Sequence, residues 1–86
     1  MVEAKIGSYT LLVREIWIKN TLTRYGYQLL RNRSHVLRYD NAPHHPEVPT
    51  FPHNKHVGDD VEPLENPSLE KFLEEAKQIV DLHSSA

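Results

Sequence analysis

The stretch SYTLLVREIWIKNTLTRYGYQLLRNRSHVLRY, residues 8–39, decides the fold. Residues 8–18 are rich in β-branched and aromatic side chains, the composition of a strand. Apolar residues occupy both faces of it, which places this strand away from a sheet edge. Asn20 and Thr21 read as a turn and residues 22–30 as a second strand, where Gly26 marks a bulge or a close backbone approach. Residues 32–34 make the next turn and residues 35–39 a third strand. Connections this short imply an antiparallel meander.

Period two then sorts the side chains. Tyr9, Leu11, Val13, Trp17, Tyr25, Tyr27, Leu29, His35, Leu37 and Tyr39 fall on one face, read as buried. Arg14, Arg24, Gln28 and Arg38 fall on the other, read as solvent-facing and basic. The C-terminal part reads as a helix over about 67–82, with Asn66 as N-cap and Pro67 at the first helical position. Leu69, Phe72, Leu73, Ala76, Ile79, Val80 and His83 share one face of it, while Glu70, Glu74, Glu75 and Lys77 form the wet side. The expected fold is α+β: a three-stranded antiparallel β-meander (about 8–39) packed by one C-terminal α-helix. A Pro/His-rich irregular strap (40–66) lies between them, and the whole, 1–86, forms one domain.

Composition limits the function. At 86 residues, 38% apolar and 26% charged, the chain reads as a small folded protein. It has no run of 18 apolar residues, so no membrane partner is expected. The N-terminus lacks a positive segment followed by a long apolar run, so no signal peptide is read and a cytoplasmic location is expected. With no cysteine, a disulfide framework, a thiolate zinc site and a thiol nucleophile are excluded. Charge is divided: residues 1–38 carry seven Lys/Arg and two Glu, while residues 39–86 carry three Lys and ten Asp/Glu. Such a split suggests two surfaces with different partners, or two halves that attract each other within the fold.

Between the strands and the helix runs RYDNAPHHPEVPTFPHNKHVG, residues 38–58. Pro43, Pro46, Pro49 and Pro52 are three apart, the repeat of polyproline II. Val48 and Phe51 are its apolar anchors, and Asp40-Asn41 reads as a turn device. Imidazole titrates near neutral pH, so His44, His45, His53 and His56 are candidate proton carriers, with Glu15 as a further one. Arg14, Arg24, Arg38 and Lys55 would hold phosphate, and Tyr25, Tyr27 and Tyr39 would stack on bases or bind phosphate. The same four histidines with Asp40 are alternative metal ligands, but no zinc spacing matches them, and no cofactor is expected.

That segment, together with VREIWI (13–18), TRYGYQLLRN (23–32) and PSLEKFLEEAKQIV (67–80), resembles the TumE family, prokaryotic toxins of toxin–antitoxin pairs. The resemblance spans roughly residues 5–82. Its densest block is Arg38, Tyr39, Asp40, Asn41, Pro43, His44, His45, Pro46, Pro49, Phe51, Pro52, His53, Lys55 and His56. Family members usually have a helix and another strand ahead of the sheet, and two histidines after Phe-Pro where this chain has His53-Asn54. The resemblance implies an antitoxin partner of helix-turn-helix type, and RNA or the ribosome as target. An exposed sheet edge left by the shorter N-terminus suggests a homodimer. The expected function is a TumE-type toxin that binds and cleaves RNA, with strap histidines as acid and base and the basic sheet face for phosphate. The alternative is a non-catalytic module that binds protein or nucleic acid through the strap.

Overall fold

Four tight hairpin turns organise the chain. In a computed structural model, which describes residues 1–84, the elements are β1 (Val2–Ile6), β2 (Tyr9–Ile18), β3 (Thr21–Arg31), β4 (Ser34–Asp40), β5 (Asn54–Val57), β6 (Asp60–Pro63) and α1 (Leu69–Ser84). They form one antiparallel sheet in the order β1-β2-β3-β4-β5-β6, with every neighbour sequential. The β2–β3 and β3–β4 hairpins each turn through two residues at positive φ, Lys19-Asn20 and Asn32-Arg33. Such turns match the right-handed twist of the flanking strands. Gly7 and Gly58, also at positive φ, open the β1–β2 and β5–β6 turns.

The expected three-stranded meander is therefore corrected to six strands. Its three members are present as β2, β3 and β4; β1, β5 and β6 were not foreseen. Each of these is four or five residues long and carries charge, as in Glu3, Lys5, Lys55, Asp60 and Glu62. Local composition alone does not make them strands; a glycine turn and a longer neighbour do. The irregular strap shrinks accordingly from 40–66 to two shorter stretches, the longer being 41–53. That stretch is a succession of turns, with backbone bonds His44→Ala42, Val48→His45, Phe51→Val48 and His53→Thr50. Polyproline II has no internal bonds, so the polyproline reading is also corrected. Val48 is buried as expected, whereas Phe51 is exposed.

Side chains pin this segment. The Thr50 hydroxyl donates to the His53 carbonyl and accepts from the Leu64 N–H, both at 2.8 Å. The buried Asn54 amide donates to the carbonyls of Pro52 (3.1 Å) and Ala42 (3.4 Å).

The core lies between the sheet and α1. Tyr9, Tyr25, Tyr27, Leu29, Leu37 and Tyr39 meet Leu64, Phe72 and Ala76. Phe72 packs edge-on to Tyr39 at 5.0 Å and tilted to Tyr27 at 5.6 Å. Tyr39 Oη donates to Glu75, whose other oxygen lies 2.7 Å from Lys55 Nζ, so a polar tie joins helix to sheet. The N-cap is Ser68, not Asn66: Ser68 Oγ accepts from the Lys71 N–H at 3.0 Å, while Asn66 sits at positive φ outside the helix. Two members of the expected buried set are exposed, Trp17 and His35. A bulge at Val36 pairs Leu30 with His35 and moves His35 onto the opposite face. Trp17 keeps its face, but the β2–β3 hairpin there runs past the pairing with β1 and β4. Among the described residues no helix is long and apolar enough to cross a membrane.

Phe72 is fully buried between two tyrosines and Leu73 is exposed. Phe72→Ala is expected to cost about 3–5 kcal/mol in urea unfolding, and Leu73→Ala about 1 kcal/mol or less. Equal losses would show that the helix packs on its other face.

Candidate functional site

Cross-strand partners in an antiparallel sheet point to the same face. Three rows therefore cross the face opposite α1. Ile16 pairs with Arg24. Arg14, Gly26, Asp40 and Asn54 make the second row, and Gln28, Arg38 and His56 the third. Gly26 stands at the middle with no side chain, and a Cβ built there meets nothing within 4 Å. It is neither the bulge nor the close approach expected; the bulges lie at Thr23 and Val36. Gly26 instead floors an open depression of about 280 Å³, lined by Arg14, Ile16, Arg24, Tyr25, Gln28, Arg38, Asp40 and Ala42.

Asp40 organises the charges at one side. It is buried, its Oδ1 accepts from the Ala42 N–H at 3.0 Å, and its Oδ2 lies 2.7 Å from Arg38 Nε and 3.7 Å from His56 Nε2. The Arg38 contact is an ion contact without hydrogen-bond alignment. Arg14 and Arg24 are exposed and, among the described residues, have no acidic partner. The His56 ring meets the His45 ring edge-on at 5.3 Å, and His45 Nδ1 is 3.1 Å from Glu47. Burial pushes the His56 pKa below its ordinary value. Asp40 opposes this, and the positive charges of Arg38, His45 and His35 reinforce it. A histidine held neutral near pH 7 can accept a proton.

The fold thus brings together Arg14, Arg24, Arg38, Asp40, His45 and His56. Of the other predicted residues, Tyr25 alone also lines the depression. His53 Nδ1 is 2.8 Å from Tyr25 Oη, with the two rings stacked. His44 is exposed. Glu15 lies on the α1 face, where it accepts from Tyr27 Oη at 2.6 Å and Trp17 Nε1 at 3.1 Å. Lys55 is on that face too, paired with Glu75. Tyr25, Tyr27 and Tyr39 are core residues, and burial holds all three hydroxyls well above their ordinary pKa. Their rings are packed on His53, Phe72 or each other. Among the described residues no three His, Cys, Asp or Glu side chains converge as a metal site. Sequence reading missed Ile16, Gly26 and Ala42 as lining residues; the parity of Gly26 with Arg24 and Gln28 was the available signal.

The sequence profile of a family described as Toxin TumE matches residues 3–81. No curated protein and no solved structure matches the chain significantly.

The His56 shift has a sign that unfolding can read. Its folded pKa lies below the ordinary 6.5, so between the two values the unfolded chain binds more protons and stability rises with pH. The contribution is full above 6.5 and lost as pH falls through the folded value. Stability in urea is expected to drop between about pH 7.5 and about pH 5.5, and His56→Gln to flatten that slope. An unchanged slope in the variant would place the titrating group elsewhere.

Proposed function

Because this chain belongs to the TumE toxin family, we propose that it is the toxin of a toxin–antitoxin pair, that it binds RNA across the Gly26 depression and that it cleaves there. The observation that carries this reading is the ring of Arg14, Arg24 and Arg38 round a side-chain-free floor, beside a neutral histidine. Arg14 and Arg24 are available to phosphate without breaking an ion pair of the protein. Arg38 is held in place by Asp40. Three cations on one side stabilise the charge that develops on phosphorus in a phosphoryl-transfer transition state.

In the proposed step His56 takes the proton of a ribose 2′-hydroxyl as its oxygen bonds to the adjacent phosphorus. The bond from phosphorus to the 5′-oxygen breaks, and protonated His45 supplies that oxygen with a proton. The products are a 2′,3′-cyclic phosphate and a 5′-hydroxyl. His45 and His56 are close enough to serve one phosphate, and His45 Nδ1 lies 3.1 Å from Glu47 Oε1. Asp40 acts as a positioning residue for Arg38 and His56. His44, His53 and Glu15 have no part in it. The binding-module alternative draws support from the strap itself, whose bonds through Thr50 and Asn54 suit a structural role.

Fluorescence anisotropy with a single-stranded RNA tests the phosphate contacts. Three phosphates engaged predict a log–log salt slope of about −2, and Arg24→Gln should reduce it by about 0.7. Affinity that ignores salt would remove the depression as the binding site. His45→Ala and His56→Gln should retain RNA affinity while losing at least about 100-fold in cleavage. A folded parent that binds RNA and leaves it intact would favour the binding module instead.

A further inference from the structure

Beside its arginines and its bare floor, the Gly26 depression is lined by one uncharged amide. Gln28 is half-buried there, two residues along β3 from Gly26. Its side-chain oxygen is taken, for His35 Nε2 lies 2.8 Å from Gln28 Oε1. A carboxamide oxygen can only accept, so His35 Nε2 is the donor. The bulge at Val36 is what brings His35 to this face. With Oε1 turned to His35, the two N–H donors of the Gln28 amide are left for the depression.

The other lining groups that can accept are engaged elsewhere. Asp40 is buried and already faces the Ala42 N–H, Arg38 and His56. The Tyr25 hydroxyl lies on the core side of the sheet, bonded to His53. The Ala42 carbonyl accepts from the His44 N–H and from Asn54 Nδ2. Arg14, Arg24 and Arg38 can only donate. The depression therefore offers donors to whatever enters it. Gly26 adds shape: a Cβ there would meet nothing within 4 Å, so a flat ring can lie on bare backbone, with Ile16 and Ala42 as apolar sides.

We propose that the depression selects a keto base, guanine or uracil, from the bound RNA. The ring lies on Gly26, and the Gln28 amide donates to the keto oxygen, O6 of guanine or O4 of uracil. His35 is a positioning residue that fixes the amide. Adenine and cytosine carry an amino group where that oxygen would be. Donor would then face donor, and both groups would leave water without a partner. The arginines remain for the phosphates, whose contacts carry no sequence information. This assignment rests on RNA binding at the depression and does not depend on cleavage.

The test uses the full chain and fluorescein-labelled 2′-O-methyl RNA heptamers, all adenine except for a central G, U, inosine, A or C. The methyl group removes the 2′-hydroxyl nucleophile, so anisotropy reads binding alone. Central G and U should each bind about tenfold more tightly than central A or C. Inosine, which keeps the keto oxygen and lacks the 2-amino group, should match G. A preference held by G and inosine alone, or by U alone, names the base and supports the proposal. Gln28→Ala should bring all the heptamers together with affinity for the all-adenine one unchanged. His35→Ala, which frees the amide to turn, should lower the preference at least about threefold with that affinity and the circular dichroism unchanged; a purely structural His35 would move stability and not the ratio. Equal binding of all heptamers by the parent chain, a preference for G that inosine lacks, or a preference that survives in Gln28→Ala would overturn the proposal. The first two outcomes need no variant, so they decide even where Gln28→Ala misfolds. Equal, salt-dependent binding leaves RNA binding standing and removes the base selection, whereas no binding of any heptamer removes both.

Discussion

Everything in this molecule follows from the alternation along β3. Tyr25, Tyr27 and Leu29 point down into the core while Arg24, Gly26 and Gln28 point up. Side-chain period in a strand is two, so one register decides both faces at once. A slip of a single residue would bury Arg24 and Gln28 and expose two tyrosines and a leucine. The hydrophobic cost of that slip protects the basic face as firmly as it protects the core. The putting together of Arg14, Gly26 and Asp40 in one row is thus a by-product of core packing.

Three carboxylates then do on a small scale what a larger core would do by area alone. A chain of 86 residues buries a modest apolar surface. Glu15 accepts from Tyr27, Glu75 accepts from Tyr39 and pairs with Lys55, and Asp40 sits between Arg38 and His56. Each partly buried charge has a donor or a cation, which is the condition under which its burial is tolerated. The tyrosine–carboxylate bonds also lock the rings that Phe72 packs against. Two of the three carboxylates therefore serve the core, and only Asp40 serves the face with the arginines.

The proline- and histidine-rich segment turns out to be a connection with a job at each end. Its first residues, Asp40 and Asn41, close the sheet: Asp40 holds Arg38 and Asn41 covers the β3 edge. Its last residues re-enter the sheet as β5, which sets His56 beside Arg38. In between, turns bring His45 back against His56. The density of proline and histidine that makes the segment conspicuous is spread over different roles. His45 and His56 meet, His53 stacks on Tyr25, and His44 stands in solvent.

The sequence by itself determined the three long strands, the C-terminal helix and the basic face, because these elements are long enough for periodicity to state them. Even the family was legible in residues 38–58. Tertiary structure alone decided the rest. β1, β5 and β6 are too short and too charged to be strands without neighbours to pair with. His35 changed face because one extra residue, Val36, shifted the parity, and no local propensity announces a bulge. The depression over Gly26 and the pairing of His45 with His56 exist only once β4 and β5 lie side by side. A set of residues far apart in the chain becomes a site through register and turn geometry, and both are set by which neighbouring strand offers its hydrogen bonds.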